Sequence, residues 1–237
     1  MSIIKTITAI IIALSVCHAQ PISTNIIVKD IDGNLYHTVK IGKQLLTVEN
    51  FKATKFNDGT PITYANDSAL WVNLATPGYC YYKNKAPSRA NKKVSVLYNW
   101  YAVASKKLAP SGWHVPSDAE LDTLELRIFG NDYANSNTSK ANGLIKRNFR
   151  WFKKSNFFGL PAGGCRYSNG SYREIGSESC WWSDSEFSKT EAFIRKIDVT
   201  NYLESRQCVS KLNGCSVRLI MNSDVLKKTK IHMVERP

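Results

Sequence analysis

Pro110-Ser111-Gly112-Trp113-His114-Val115-Pro116-Ser117-Asp118-Ala119-Glu120 has the pattern of a helix entrance. Pro116 has no backbone N–H to donate, so it ends the element before it. Ser117 is a good N-cap, and Glu120 three residues later completes a capping box. Leu121, Leu124, Ile128 and Phe129 follow at helical spacing. The spacing predicts a helix from Asp118 to about Phe129, with Trp113 and Val115 packed beneath its start. His114, between two apolar residues, is expected to anchor this turn as a packed, hydrogen-bonded side chain.

Outward from this segment, strands precede and follow. Val28 to Val48 holds strand formers on both sides of Asp32-Gly33, a hairpin signal. Asp30-Ile31-Asp32-Gly33-Asn34 lacks the bidentate glutamate of a calcium loop and is expected to be a turn. Ser68 to Leu74 predicts a short helix or turn around Trp71, and Gly78 to Tyr82 a compact aromatic strand. Leu97 to Lys107 ends in alanines and favours a helix. Residues 130–142 are rich in Asn, Ser and Thr, as surface loops are. From Leu160 onward, tight turns alternate with strand segments. Strands, two helices, a long loop and more strands predict an α+β fold.

Residues 1–19 have the make-up of an export signal: Lys5, an apolar run from Ile7 to Val16 too short to span a bilayer, and cleavage before Gln20. Lipid attachment at Cys17 is the alternative, although Val16 fits a lipobox poorly. A leader over 20–27, a domain over 28–221 and a polar, basic tail over 222–237 complete the expected organisation. The location expected is secreted or on the outer surface of a bacterial cell.

The chain carries a formal net charge of +13, which favours an anionic surface as partner. Its densest basic cluster is Lys146, Arg147, Arg150, Lys153 and Lys154, interleaved with Phe149, Trp151 and Phe152. That mixture suits an acidic glycan, or a strand whose aromatics face the core; no specific nucleic acid is expected. Without Cys17, five cysteines remain, and two bridges with one free thiol is the simplest count in an oxidising compartment. Cys208–Cys215, across Asn213-Gly214, and Cys165–Cys180, closing the Gly-rich region, are the candidate pairs. Spacing leaves the connectivity open.

Several segments together resemble one family. They are Asp30-Ile31-Asp32-Gly33-Asn34-Leu35-Tyr36, Phe56-Asn57-Asp58-Gly59-Thr60-Pro61, Cys80-Tyr81-Tyr82 and Leu97-Tyr98-Asn99-Trp100-Tyr101-Ala102-Val103. Gly112 to Glu120, Leu160-Pro161-Ala162-Gly163-Gly164, Trp181-Trp182-Ser183 and Ser216-Val217-Arg218 continue the series. Their order resembles the Fibrobacter succinogenes major paralogous domain over about residues 28–221. The resemblance implies a C-type-lectin-like α+β core, similar to the formylglycine-generating-enzyme fold, with two helices, irregular antiparallel sheets and long loops. It implies an exported surface or secreted protein and conveys no activity. Members often carry a cysteine before the Pro-x-Gly-Trp segment, where this chain has Ala109; the partner implied for it is Cys80, which is thus expected to be a free thiol.

The expected function is a non-catalytic binding module for a glycan or an envelope protein. Trp151, Tyr172, Trp181 and Trp182, with Lys146, Arg147 and Arg150, are the candidate contacts. Lectin-like folds can also hold calcium, for which Glu178, Asp184 and Glu186 are the candidate ligands; no cofactor is otherwise expected. A cysteine-dependent oxidase of the formylglycine-generating type, using Cys208 and Cys215 near Lys211, is the alternative from another class, and a structural envelope component a third. No hydrolase elbow or phosphate loop is present in the sequence. The sequence sets no oligomeric state.

Overall fold

The computed structural model describes residues 22–86, 95–129, 165–173, 178–198 and 203–222. The segment expected to be an export signal, the cluster around Trp151 and the expected basic tail beyond residue 222 lie outside these residues.

The N-terminal hairpin forms as its turn chemistry dictates. Strand β1 (Ile22–Lys29) pairs antiparallel with β2 (Leu35–Ile41), and Gly33, at φ +84°, takes the left-handed turn position that suits glycine. β1 starts at Ile22, so the expected leader over 20–27 is largely strand. Its thin apolar pattern follows from its position: it is an edge strand, and its residues are mostly exposed or half-buried. β3 (Gln44–Thr47) pairs with β2, and β10 (Ile220–Asn222) pairs with β3, so that both ends of the domain meet in one sheet ordered β1-β2-β3-β10.

A second, smaller sheet joins β4 (Thr63–Tyr64), β5 (Gly78–Tyr81) and β6 (Val96–Tyr98), with β4 parallel and β6 antiparallel to β5. The third is the antiparallel meander β7 (Glu178–Glu186), β8 (Glu191–Asp198) and β9 (Leu203–Ser210). The described helices are short: α1 (Ser68–Val72), α2 (Trp100–Ala104) and α3 (Asp118–Phe129). α3 occupies the bounds that the capping pattern predicts. The architecture is a strand-dominated α+β arrangement of three small sheets.

The core lies between the sheets. Tyr36, Phe51 and Tyr98 form a continuous aromatic contact, with ring centroids 5.4 and 6.2 Å apart. Each buried phenol has a partner: Tyr36 Oη donates to Asp30 at 2.5 Å and Tyr98 Oη to the Ala53 carbonyl at 2.7 Å. A second cluster, Val39, Ile41, Leu46, Leu121, Leu124, Ile128 and Ile220, seats α3 on the first sheet. A third gathers Trp71, Leu74, Cys80, Tyr82 and Leu97 beneath α1.

Candidate functional site

The second sheet presents an aromatic platform. Tyr79 and Tyr81 are two residues apart on β5 and therefore share a face. The parallel register sets Tyr64 of β4 beside Tyr79. The Tyr64 and Tyr79 rings stack with centroids 5.2 Å apart, and Tyr81 meets them edge-on at 5.4 and 5.7 Å. Tyr79 is 7 % exposed and Tyr64 37 %, so a buried ring supports a ring that reaches solvent. Burial, then the neighbouring Tyr81 phenol, raises the Tyr79 hydroxyl well above its ordinary value; Tyr64 is raised by the same two causes, burial first. The Tyr64 and Tyr79 phenols therefore remain neutral hydrogen-bonding groups at physiological pH.

A rigid polar loop leads into this platform. Asp32 accepts from the Thr54 N–H at 2.6 Å and Thr54 Oγ1 at 2.9 Å, with Lys55 Nζ at 3.4 Å. Burial pushes its carboxyl up, but these donors outweigh that and hold it below the ordinary range. Thr54 in turn accepts from the Ile62 N–H at 3.0 Å, directly before β4. Ring faces beside fixed polar groups are what a sugar, with its apolar C–H face and hydroxyl rim, can use.

The helix entrance has a different character. Ser117 N–H and Oγ donate to Glu120 Oε2 at 2.9 and 2.8 Å, and the Glu120 N–H donates back to Ser117 Oγ at 3.3 Å. His114 Nε2 lies 2.9 Å from Glu120 Oε1. Its backbone exchanges two hydrogen bonds with Ile220, at 3.0 and 2.8 Å, which stitches the segment to β10. Trp113 and Val115 are buried as expected. The Ser117 and Glu120 side chains and His114 Nε2 are thus engaged in holding the fold. The model of the Fibrobacter succinogenes major domain matches residues 39–221.

The chain belongs to this family. The matched span runs from within β2 into β10, so it takes in the second and third sheets and the platform, while β1 and the start of β2 precede it. Searches of the curated proteins and of the solved structures found no match.

Of the tryptophans expected to contact ligand, Trp181 and Trp182 are core residues. Trp182 is fully buried and its Nε1 donates to the Tyr98 carbonyl at 2.7 Å. Trp181 is 7 % exposed; its Nε1 donates to Asn50 Oδ1 at 2.8 Å, and the Arg218 guanidinium lies 4.9 Å over its ring. Burial lowers the Arg218 guanidinium to about 10, against the opposing pull of Glu49. Neither indole offers a free face. The cause is the pairing of β7 with the segment around Ser216, which turns these large side chains inward. Tyr172 is half-buried: its hydroxyl donates to Asn84 Oδ1 at 2.8 Å, and its ring packs on Tyr82 and under Arg166. Trp151, Lys146, Arg147 and Arg150 lie outside the described residues.

The expected calcium ligands do not assemble among the described side chains. Asp184 is paired with Lys106 Nζ at 2.5 Å, and Glu186 with Lys211. Each carboxylate is thus neutralised by its own lysine, and the side chain of Glu178 lies outside the described residues. Lys211 also donates to the Lys189 carbonyl at 2.9 Å and sits 4.6 Å over Trp100.

Cysteine pairing differs in one respect from expectation. Cys165 and Cys180 are bridged, and Cys80 is a free, buried thiol. Burial raises the Cys80 thiol, against opposing contributions from Arg166 and Tyr172. Cys208 and Cys215 are both free. Cys208 is exposed on β9 opposite Phe193, whereas Cys215 is buried against the Cys165–Cys180 bridge. The Asn213-Gly214 turn does not fold the second residue back onto β9; it carries Gly214 into pairing with Arg166 instead. The bridge expected between Cys208 and Cys215 is therefore not formed. The tyrosine platform was missed by expectation, although the alternation of Tyr79 and Tyr81 in an aromatic strand was its signal.

Proposed function

We propose that this domain is an exported, non-catalytic binding module with a C-type-lectin-like fold, and that it takes a glycan on the platform of Tyr64, Tyr79 and Tyr81. The observation that carries this is the exposed Tyr64 ring stacked on the buried Tyr79 ring. A rigid, solvent-facing aromatic costs little conformational entropy on binding. Tyr81 adds a second ring edge and another phenol, and the Asp32–Thr54–Lys55 loop supplies fixed polar groups near the sugar's hydroxyls. The charged network at α3 and the capped helix entrance are engaged in internal contacts, whereas the Tyr64 ring is exposed.

Co-sedimentation of the purified protein with insoluble polysaccharides (cellulose, chitin, xylan and peptidoglycan) tests the proposal. Retention on at least one, lost on Tyr64→Ala with the fold intact by circular dichroism, supports it. Retention on none, or equal retention of wild type and variant, contradicts it. Capture of an envelope protein instead of any polysaccharide would move the binding function to another ligand class.

A further inference from the structure

We infer that Cys165, Cys180 and Cys215 form one thiol–disulfide exchange centre, in which Cys215 can replace either bridged cysteine as a bonding partner. The three Sγ atoms all lie within 4.8 Å of one another, and all three residues are buried. A buried free thiol beside a disulfide is not required by the packing alone, since an alanine or serine could occupy the position.

The backbone fixes this convergence. Residues 214–216 run as a central segment with partners on both sides. Gly214 exchanges hydrogen bonds of 2.9 and 2.7 Å with Arg166, next to Cys165. Ser216 donates to the Cys180 carbonyl at 3.1 Å and accepts from the Trp182 N–H at 3.0 Å. Cys215 itself exchanges hydrogen bonds of 3.0 and 3.1 Å with Tyr98. Each sulfur is therefore delivered by a different segment, and the central one, residues 214–216, is hydrogen-bonded to both of the others. Moving the bond from one pair to another needs side-chain rotation rather than a new fold.

The exchange balances without an outside redox partner. Cys215 gives its proton to a base in the solvent, and its thiolate attacks Cys180 Sγ. The Cys180–Cys215 bond forms, the Cys165–Cys180 bond breaks, and Cys165 leaves as a thiolate that takes up a proton. Attack on Cys165 gives the other isomer, with Cys180 released. Burial, the sole cause acting on it, raises the Cys215 thiol well above its ordinary value. At neutral pH that suppresses the thiolate and protects the resident bridge; the exchange proceeds when the chain opens locally and admits water. The consequence is a redundant staple: loss of one sulfur to oxidation leaves two that can still bond.

Cys80 and Cys208 serve as internal controls, since neither belongs to the cluster. In Cys165→Ser, refolded in a reduced/oxidised glutathione buffer that accepts the two electrons, a Cys180–Cys215 disulfide is expected. It is read as a linked peptide by mass spectrometry after alkylation without reduction, with Cys80 and Cys208 recovered alkylated. Cys180→Ser is expected to give Cys165–Cys215. Recovery of Cys180 and Cys215 both alkylated in folded Cys165→Ser, or a bridge from Cys180 to Cys80 or Cys208, would overturn the inference. Wild type treated with substoichiometric dithiothreitol and quenched in acid covers the case in which neither variant folds. A peptide linked through Cys215 supports the exchange, and exclusive recovery of Cys165–Cys180 refutes it.

Discussion

Asn99 shows how much one side chain can carry. It is buried and makes four hydrogen bonds: it caps α2 by accepting from the Ala102 N–H at 3.2 Å, accepts from the Gly78 N–H at 3.0 Å, and donates to the Leu74 and Thr76 carbonyls at 3.1 and 2.8 Å. Asn99→Ala removes the cap and strands three backbone groups. We expect a loss of about 3 kcal/mol or more in urea denaturation, with the slope of the transition unchanged. Asn99→Asp, which keeps the acceptor but not the donors, should recover only part of it. Asn99 lies within the Leu97-Tyr98-Asn99-Trp100 motif quoted for the family resemblance, yet its load was not legible. Three of its four partners come from residues 74–78, which only the folded chain brings alongside.

His114 and Glu120 set a pH dependence at the same scale. The Glu120 carboxylate raises His114 above 6.5, so this contribution is complete below pH 6.5 and fades as pH climbs through the raised value. The His114 contact first, then the Ser117 donors, outweigh the upward push of burial and lower Glu120 from 4.5 to about 2, so its contribution is complete above pH 4.5 and is lost as pH falls toward 2. Both are present together between 4.5 and 6.5. Glu120→Gln keeps an acceptor for Ser117 and removes the charge. The difference in Tm between wild type and variant should be largest in that window and shrink on either side. Both side chains are more than a third exposed, so the effect should stay below about 1 kcal/mol.

At the scale of elements, α3 is held by more than its apolar stripe. Asp118, Asp122 and Glu125 recur at helical spacing on one face and all engage Arg195 of β8, which is 4 % exposed; Asp118 also pairs with Arg206 of β9 at 2.6 Å. Contacts with Glu125 and Asp118 raise the Arg195 guanidinium despite its burial. Arg195→Ala leaves Asp118 and Glu125 partly buried with less compensation. It should cost about 3 kcal/mol by chemical denaturation, the lower end for a broken buried pair, because Arg206 still holds Asp118. The helix itself was legible to the residue, since its cap, its first-turn acids and its apolar spacing are all local. Its docking was not, because the arginines come from strands and lie 70 or more residues beyond the acids they pair with.

Across the whole molecule, local signals and long-range placement divide in the same way. Turn residues such as Asp32-Gly33 marked the first hairpin, and the motif series marked the family. What the sequence concealed was which aromatic residues face water. Trp181 and Trp182 have the composition of a binding surface, but pairing with the chain around Ser216 buries them, and Tyr64, in a two-residue strand, is left outside on the strength of its parallel pairing with β5. The same long-range pairing gathers three cysteines and leaves Cys208 apart. Fold class and family thus follow from local chemistry, whereas the proposed binding surface follows from the order in which three small sheets meet.

A glycan array probed in parallel with wild type, Tyr64→Ala and His114→Ala tests this account most directly. It predicts that wild type and His114→Ala bind the same glycans, and that Tyr64→Ala loses at least about tenfold in apparent affinity, the equivalent of about 1.4 kcal/mol. Loss of glycan binding in His114→Ala with Tyr64→Ala unaffected, or no binding by wild type, would contradict it.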